Sequence, residues 1–194
     1  MCCRELLERI VLHIRYSPDR VVFGALFVLA YAFSLRLPSE ALPAVLECGD
    51  RKVDAQAVLK FEGAEAVLRL KRRKNRLFGG QLRRKCWCTT SPLTCPVHVL
   101  REASTCCGHG GALFPGVTAA AALRVLREVL EELCVPVAGE YRTQDFRRGH
   151  TEDLRASGIL ALVVCSRVSA FVALLEGLLS RTYWNQAIGG RPHF

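Results

Sequence analysis

Apolar residues at the start of the chain recur at helical spacing. Leu6, Leu7, Ile10, Val11 and Ile14 fall on one face and predict a helix over residues 1–17. Ser17-Pro18-Asp19 then breaks the chain and is placed to cap a second, antiparallel helix. That second segment, Val21 to Leu35, is apolar throughout and bounded by Arg20 and Arg36. It is shorter than the ~20 residues that cross a bilayer, so it predicts a buried helix and no membrane span. Arg36 stands at its C-terminal end, and Pro38-Ser39-Glu40 begins another turn.

Between Val53 and Leu82 the pattern changes to short strands. Val58 to Phe61 and Ala66 to Leu70 are joined by Glu62-Gly63-Ala64-Glu65, and a basic turn, Lys71 to Arg76, precedes Leu77 and the Gly79-Gly80 break. This predicts a small antiparallel β-sheet with a basic rim. The glycine-rich stretch Thr105 to Gly111 lacks the lysine and the following Ser/Thr of a phosphate-binding loop and reads as a linker. Helical periodicity returns after Thr118, with Leu123, Leu126, Leu130 and Leu133 turned to the core from a helix over Ala119 to Leu133. A further helix follows over Tyr141 to Gly158, where Gln144, Arg147, Arg148, Thr151 and Arg155 form one polar stripe and Phe146 and Leu154 face inward. Ile159 to Leu179 is strongly apolar and predicts buried helical packing. The pattern as a whole predicts an α+β fold, mainly α-helical, in one domain.

Composition sharpens this picture in two places. The net charge is +9, and much of the excess is arginine gathered in residues 69–85 and 141–155, which implies a polyanionic partner. A guanidinium presents forked donors that match phosphate oxygens two at a time, so phosphodiester is the first ligand to test. Ten cysteines in a chain large enough to build a core without staples point to thiols in a reducing intracellular compartment. Cys86, Cys88, Cys95 and His98 supply four ligands of the kind that close a tetrahedral zinc site. Cys106, Cys107 and His109 offer alternative ligands. In the reading without metal, Cys95 and His98 open a helix and pack inside.

The stretch Gln-Asp-Phe-Arg-Arg-Gly-His, followed by Glu-Asp-Leu-Arg-Ala-Ser-Gly, resembles the second conserved box of the tyrosine recombinase (phage integrase) superfamily. Its look is nearest to recombinases of crypton and DIRS mobile elements. Leu-Arg-Leu-Pro-Ser-Glu-Ala-Leu resembles the first box. The resemblance implies a single integrase-like catalytic domain over 1–194, its N-terminal core-binding domain absent or reduced to residues 1–18. It puts Arg36 and Arg147 on the scissile phosphate, Glu40 in support of Arg36, and Lys74 as the acid for the leaving 5′ oxygen, with Lys71 in reserve. Arg72, Arg73, Arg76, Arg148 and Arg155 would contact the DNA backbone. Gln144 stands where the family has histidine. The family register puts Leu178 at the following His/Trp position and Gln186 at the nucleophilic tyrosine, and leaves Tyr183 as the nearby tyrosine.

Three functions follow as expectations. The first is a DNA-binding tyrosine recombinase acting in DNA integration or recombination, with DNA as partner, a homo-oligomer assembled on it and a nuclear location. The family chemistry needs no cofactor, so zinc here would be structural. The second is a catalytically inactive DNA-binding remnant or domesticated protein, in which the arginines outlast the nucleophile. The third is a zinc-stabilised protein-interaction module.

Overall fold

The computed structural model describes residues 4–49, 52–72, 79–105 and 107–157. Residues up to Asp153 form one compact unit; a second begins at Leu154, of which only Leu154 to Ser157 are described. The protein is α+β and mainly helical, as the periodicity predicts. No described helix is long and apolar enough to cross a membrane.

Helix α1, Arg4–Ile14, buries Leu7, Ile10 and Ile14 against α2, Val21–Ala32, whose side chains from Phe23 onward are all buried. Asp19 does not cap α2. The helix starts from Arg20 with no side-chain cap, and the Ser17 carbonyl accepts instead from the Arg20 and Val21 N–H groups at 3.0 and 2.9 Å. Arg20 also reaches Glu132 at 2.9 Å and His13 reaches it at 2.7 Å, which ties the first two helices to the end of α4, Ala119–Glu132. Thr118 caps α4 by accepting from the Ala121 N–H at 3.1 Å. The core face of α4 runs through Ala122, Val125, Leu126, Val129 and Leu130. Leu123 and Leu133 flank it half-buried, one step round the helix from the predicted face.

The sheet has four strands in sequence order: β1, Ala44–Leu46; β2, Ala57–Glu62; β3, Glu65–Leu70; and β4, Gly80–Lys85. It is mixed, where the sequence predicts an antiparallel sheet. β2 pairs antiparallel with β3 across the short Gly63-Ala64 turn, and β3 antiparallel with β4, but β1 lies parallel to β2. Leu59, Leu68 and Leu82 stand opposite one another along one row. Gly79, at φ +71°, closes the base of the β3–β4 hairpin with no room for a side chain, since a Cβ would lie 2.1 Å from the Leu70 carbonyl oxygen.

The glycine-rich stretch covers the free edge of β1. Leu46 N–H donates to the Gly111 carbonyl, Gly110 N–H to that of Leu46, and Leu113 N–H to that of Ala44, at 2.7–3.0 Å. Helix α3, Pro96–Ala103, packs on α2 through Val97 and Leu100. The last described helix, α5, Asp145–Ala156, is held by Phe146, which stacks on Phe27 of α2 with ring centroids 4.7 Å apart.

Candidate phosphate site and candidate metal centre

Arg36 owes its position to how α2 stops. No glycine or proline ends the apolar run; the chain turns at Ser34, which sits in the left-handed region at φ 53°. The Leu35 N–H reaches back to the Ala30 carbonyl at 2.8 Å and the Ser34 N–H to that of Tyr31 at 3.1 Å, the paired bonds of a Schellman ending. Arg36 is then extended, at φ −84° and ψ 124°, before a single π-helical turn, Leu37–Ala41. Buried Glu40 closes that turn by accepting from the Arg36 N–H at 2.8 Å, while its own N–H donates to the Arg36 carbonyl at 3.0 Å. The Glu40 carboxylate thus binds the backbone of Arg36.

The polar stripe of α5 lies opposite. With Phe146 buried, the helix turns Gln144, Arg148 and Thr151 outward and leaves Arg147 half-buried. Thr151 Oγ1 donates to the Arg147 carbonyl at 3.0 Å, and Arg148 stands 3.5 Å from Asp145. Arg36, Gln144, Arg147, Arg148 and Thr151, with Leu35 and Glu152, line one open concavity of about 490 Å³. Two segments distant in sequence therefore present three guanidinium groups to a shared space, against one carboxylate. Among the described residues, neither the Arg36 nor the Arg147 guanidinium has a hydrogen-bond or ion-pair partner. Guanidinium donors that are not spent on a partner can donate to the oxygens of an anion.

No family model, curated protein or solved structure matches this chain.

Other residues singled out in the sequence fall elsewhere. Arg72 is exposed just after β3, its carbonyl accepting from Gln56 Nε2 at 3.0 Å. Arg155 is exposed in the last turn of α5. Lys71 is paired with Asp54 at 2.9 Å, and its hydrogen bond holds the Asp54 carboxyl below its ordinary range. Lys74, Arg73, Arg76, Leu178, Tyr183 and Gln186 lie outside the described residues.

Cys86, Cys88, Cys95 and His98 converge, their ligand atoms all within 4.8 Å of one another. Cys86 directly follows β4 and its N–H donates to the Ala64 carbonyl at 2.9 Å. Cys95 is the N-cap of α3, with Pro96 at the first helical position, and His98 follows one turn on. The loop between them is folded on itself: the Trp87 carbonyl accepts from the Thr90 and Ser91 N–H groups, and the Ser91 hydroxyl meets Glu8 and Thr94. Burial drives the Cys95 thiol pKa up, but hydrogen bonds from the His98 side chain and from the His98 and Trp87 backbone outweigh it and bring it to about 6. Cys88 is pushed up to about 12 by burial and by its neighbours Cys95 and Cys86. The four residues can hold a metal ion. Of the alternative ligands, His109 Nδ1 is engaged by the Cys48 N–H at 3.0 Å.

Sequence reasoning missed a buried polar group on α5. His150 is 6% exposed, its ring meets Tyr31 edge-on at 4.9 Å, and its Nε2 has no hydrogen-bond partner among the described residues. Tyr31 donates to Asp153 at 2.5 Å, and Asp153 also accepts from the Arg4 N–H at 2.9 Å. Arg84, from β4, donates through Nε to the Ala32 carbonyl at 2.5 Å and lies over the Phe33 ring at 5.5 Å. The available signal was the alternation in Leu82-Arg83-Arg84, which puts Arg84 on the same face as Leu82.

Proposed function

We propose that this chain binds the phosphodiester backbone of DNA and is related to the tyrosine recombinases. One observation carries the reading: the Arg36 and Arg147 guanidiniums, neither of them paired among the described residues, share a single concavity with Gln144, Arg148, Thr151 and Glu152. Those two arginines occupy the positions that the box resemblances assign to the scissile phosphate. The net charge of +9 favours the same partner, and DNA as partner implies a nuclear location.

Strand cleavage is a separate step with its own requirements. In the family reaction a tyrosine oxygen, having lost its proton, bonds to phosphorus as the bond to the 5′ oxygen breaks. A lysine gives the leaving oxygen its proton, and cations neutralise the charge that builds on phosphorus. The concavity supplies the cations. Tyr183 as nucleophile and Lys74 as acid complete the proposal. Zinc on the Cys86–His98 loop would serve as scaffold and take no part in this chemistry.

Fluorescence anisotropy on a labelled duplex tests binding. The affinity is expected to fall linearly with salt on logarithmic axes. Arg36→Ala and Arg147→Ala should each weaken it by about 10- to 100-fold and reduce the slope by about one, whereas Arg124→Ala on α4 should leave it unchanged. No binding at low salt would sink the DNA reading. A nicked suicide duplex run on a denaturing gel tests cleavage. A covalent adduct lost in Tyr183→Phe makes the protein a recombinase; binding without adduct makes it an inactive DNA-binding relative.

A second reading draws on a groove of about 580 Å³ among α1, α2 and α3, lined by Ile14, Val21, Val22, Leu93 and Val99 and edged by Tyr16, 80% exposed. Such a surface suits a zinc-stabilised protein-interaction module. It prevails if the duplex is not bound.

A further inference from the structure

The geometry points to a closed, structural Zn²⁺ site made by Cys86 Sγ, Cys88 Sγ, Cys95 Sγ and His98 Nδ1. Zinc–sulfur bonds of ~2.3 Å and a zinc–nitrogen bond of ~2.0 Å set the edges of a tetrahedron at about 3.8 Å between two sulfurs and about 3.5 Å between sulfur and nitrogen. In this protein Cys86 and Cys95 sulfurs are 3.7 Å apart, and His98 Nδ1 lies 3.7 Å from Cys86 and 3.4 Å from Cys95. Three of the four corners therefore already stand at zinc-binding separations. Cys88 Sγ is 2.9 Å from His98 Nδ1, closer than the sulfur–nitrogen edge, and lies within 4.8 Å of the other two sulfurs. Thiols are weak hydrogen-bond partners, so bringing three of them onto one imidazole nitrogen gains little unless a cation binds them.

The donor set selects the metal. Three thiolates and one imidazole in tetrahedral array suit zinc, whereas calcium and magnesium require oxygen ligands. Four protein ligands close the coordination sphere and leave no position for water or substrate, so the ion is structural. It fastens the segment that follows β4, which carries Cys86 and Cys88, to the start of α3, where Cys95 is the N-cap and His98 lies in the first turn. The site does not depend on the DNA reading.

The full chain, purified from zinc-supplemented expression and dialysed, should carry one zinc per chain by elemental analysis. Cobalt substitution should give intense sulfur-to-metal charge-transfer and tetrahedral ligand-field bands. X-ray absorption on the zinc form should find three sulfurs and one nitrogen in the first shell. Cys95→Ser and His98→Ala should lose the zinc, while Cys107→Ser and His109→Ala should keep it. Should the ligand variants fail to fold, the absorption spectrum of the unmodified chain still decides. A metal-free protein, an oxygen-rich first shell, or zinc retained in a folded Cys95→Ser variant would overturn the assignment.

Discussion

At the residue scale, His150 makes a claim that a pH series can check. Burial, then the positive charge of Arg84, lower its pKa from 6.5 to about 4, against an opposing pull from Asp153. The folded protein keeps the ring neutral over a range in which the unfolded chain protonates it. The unfolded state thus binds more protons between about pH 6.5 and pH 4, and stability falls as pH drops through that window, by on the order of 3 kcal/mol in all. Removing the ring should remove this dependence. In urea titrations the stability of His150→Phe relative to the native chain should rise as pH falls from about 6.5 to about 4 and be constant above pH 7. A pH-independent difference would mean that His150 is not the group responsible. Comparison with the variant is needed because carboxylates titrate over an overlapping range.

At the element scale, the end of α2 decides where Arg36 points. The run Val21–Ala32 contains no stop signal, and Ser34 at φ 53° makes the turn. A β-branched side chain is poorly tolerated there, so Ser34→Val should lower unfolding stability by about 1–2 kcal/mol, whereas Ser34→Gly, free to adopt that φ, should lose less. Because Arg36 lies two residues on, the valine variant should also bind duplex DNA more weakly. Equal stability of the two variants in denaturant titrations would show that the left-handed residue does not set the helix end. The helices were legible because their apolar period is long enough to read, and the α5 stripe was legible for the same reason. β1 was not: a three-residue strand carries no period, and its partners in the loop around Gly110 and Gly111 look like linker. β4 was hidden because Arg83, Arg84 and Lys85 read as the tail of a basic run, although they alternate between solvent and core. Cys86, Cys88, Cys95 and His98 were legible from spacing as a set, but that these four converge depended on where β4 ends and α3 begins. That Arg36 and Arg147 share a concavity required the packing of Phe146 on Phe27, which no local pattern contains.

At the scale of the whole molecule, the cysteine–histidine cluster and the arginine-lined concavity are joined through β4. Cys86 and Cys88 follow the strand directly, and Arg84 within it projects from the core-facing side to the last turn of α2, where it donates to the Ala32 carbonyl and covers Phe33. From there the chain passes through Ser34 and Leu35 to Arg36. A zinc ion clamping the end of β4 to α3 would hold Arg84 in register, and Arg84 would hold the helix end that presents Arg36. Stripping zinc with a chelator should therefore lower the melting temperature and also weaken DNA binding, although no zinc ligand lines the concavity. Arg84→Ala separates the two effects. It removes a charged hydrogen bond worth ~1.5–3 kcal/mol and should reproduce the weaker DNA binding while retaining one zinc per chain. If Arg84→Ala binds DNA as tightly as the unmodified chain, the connection through β4 is wrong, and any effect of zinc removal on DNA binding reflects general unfolding. If the variant instead loses zinc, Arg84 orders the metal loop rather than transmitting from it.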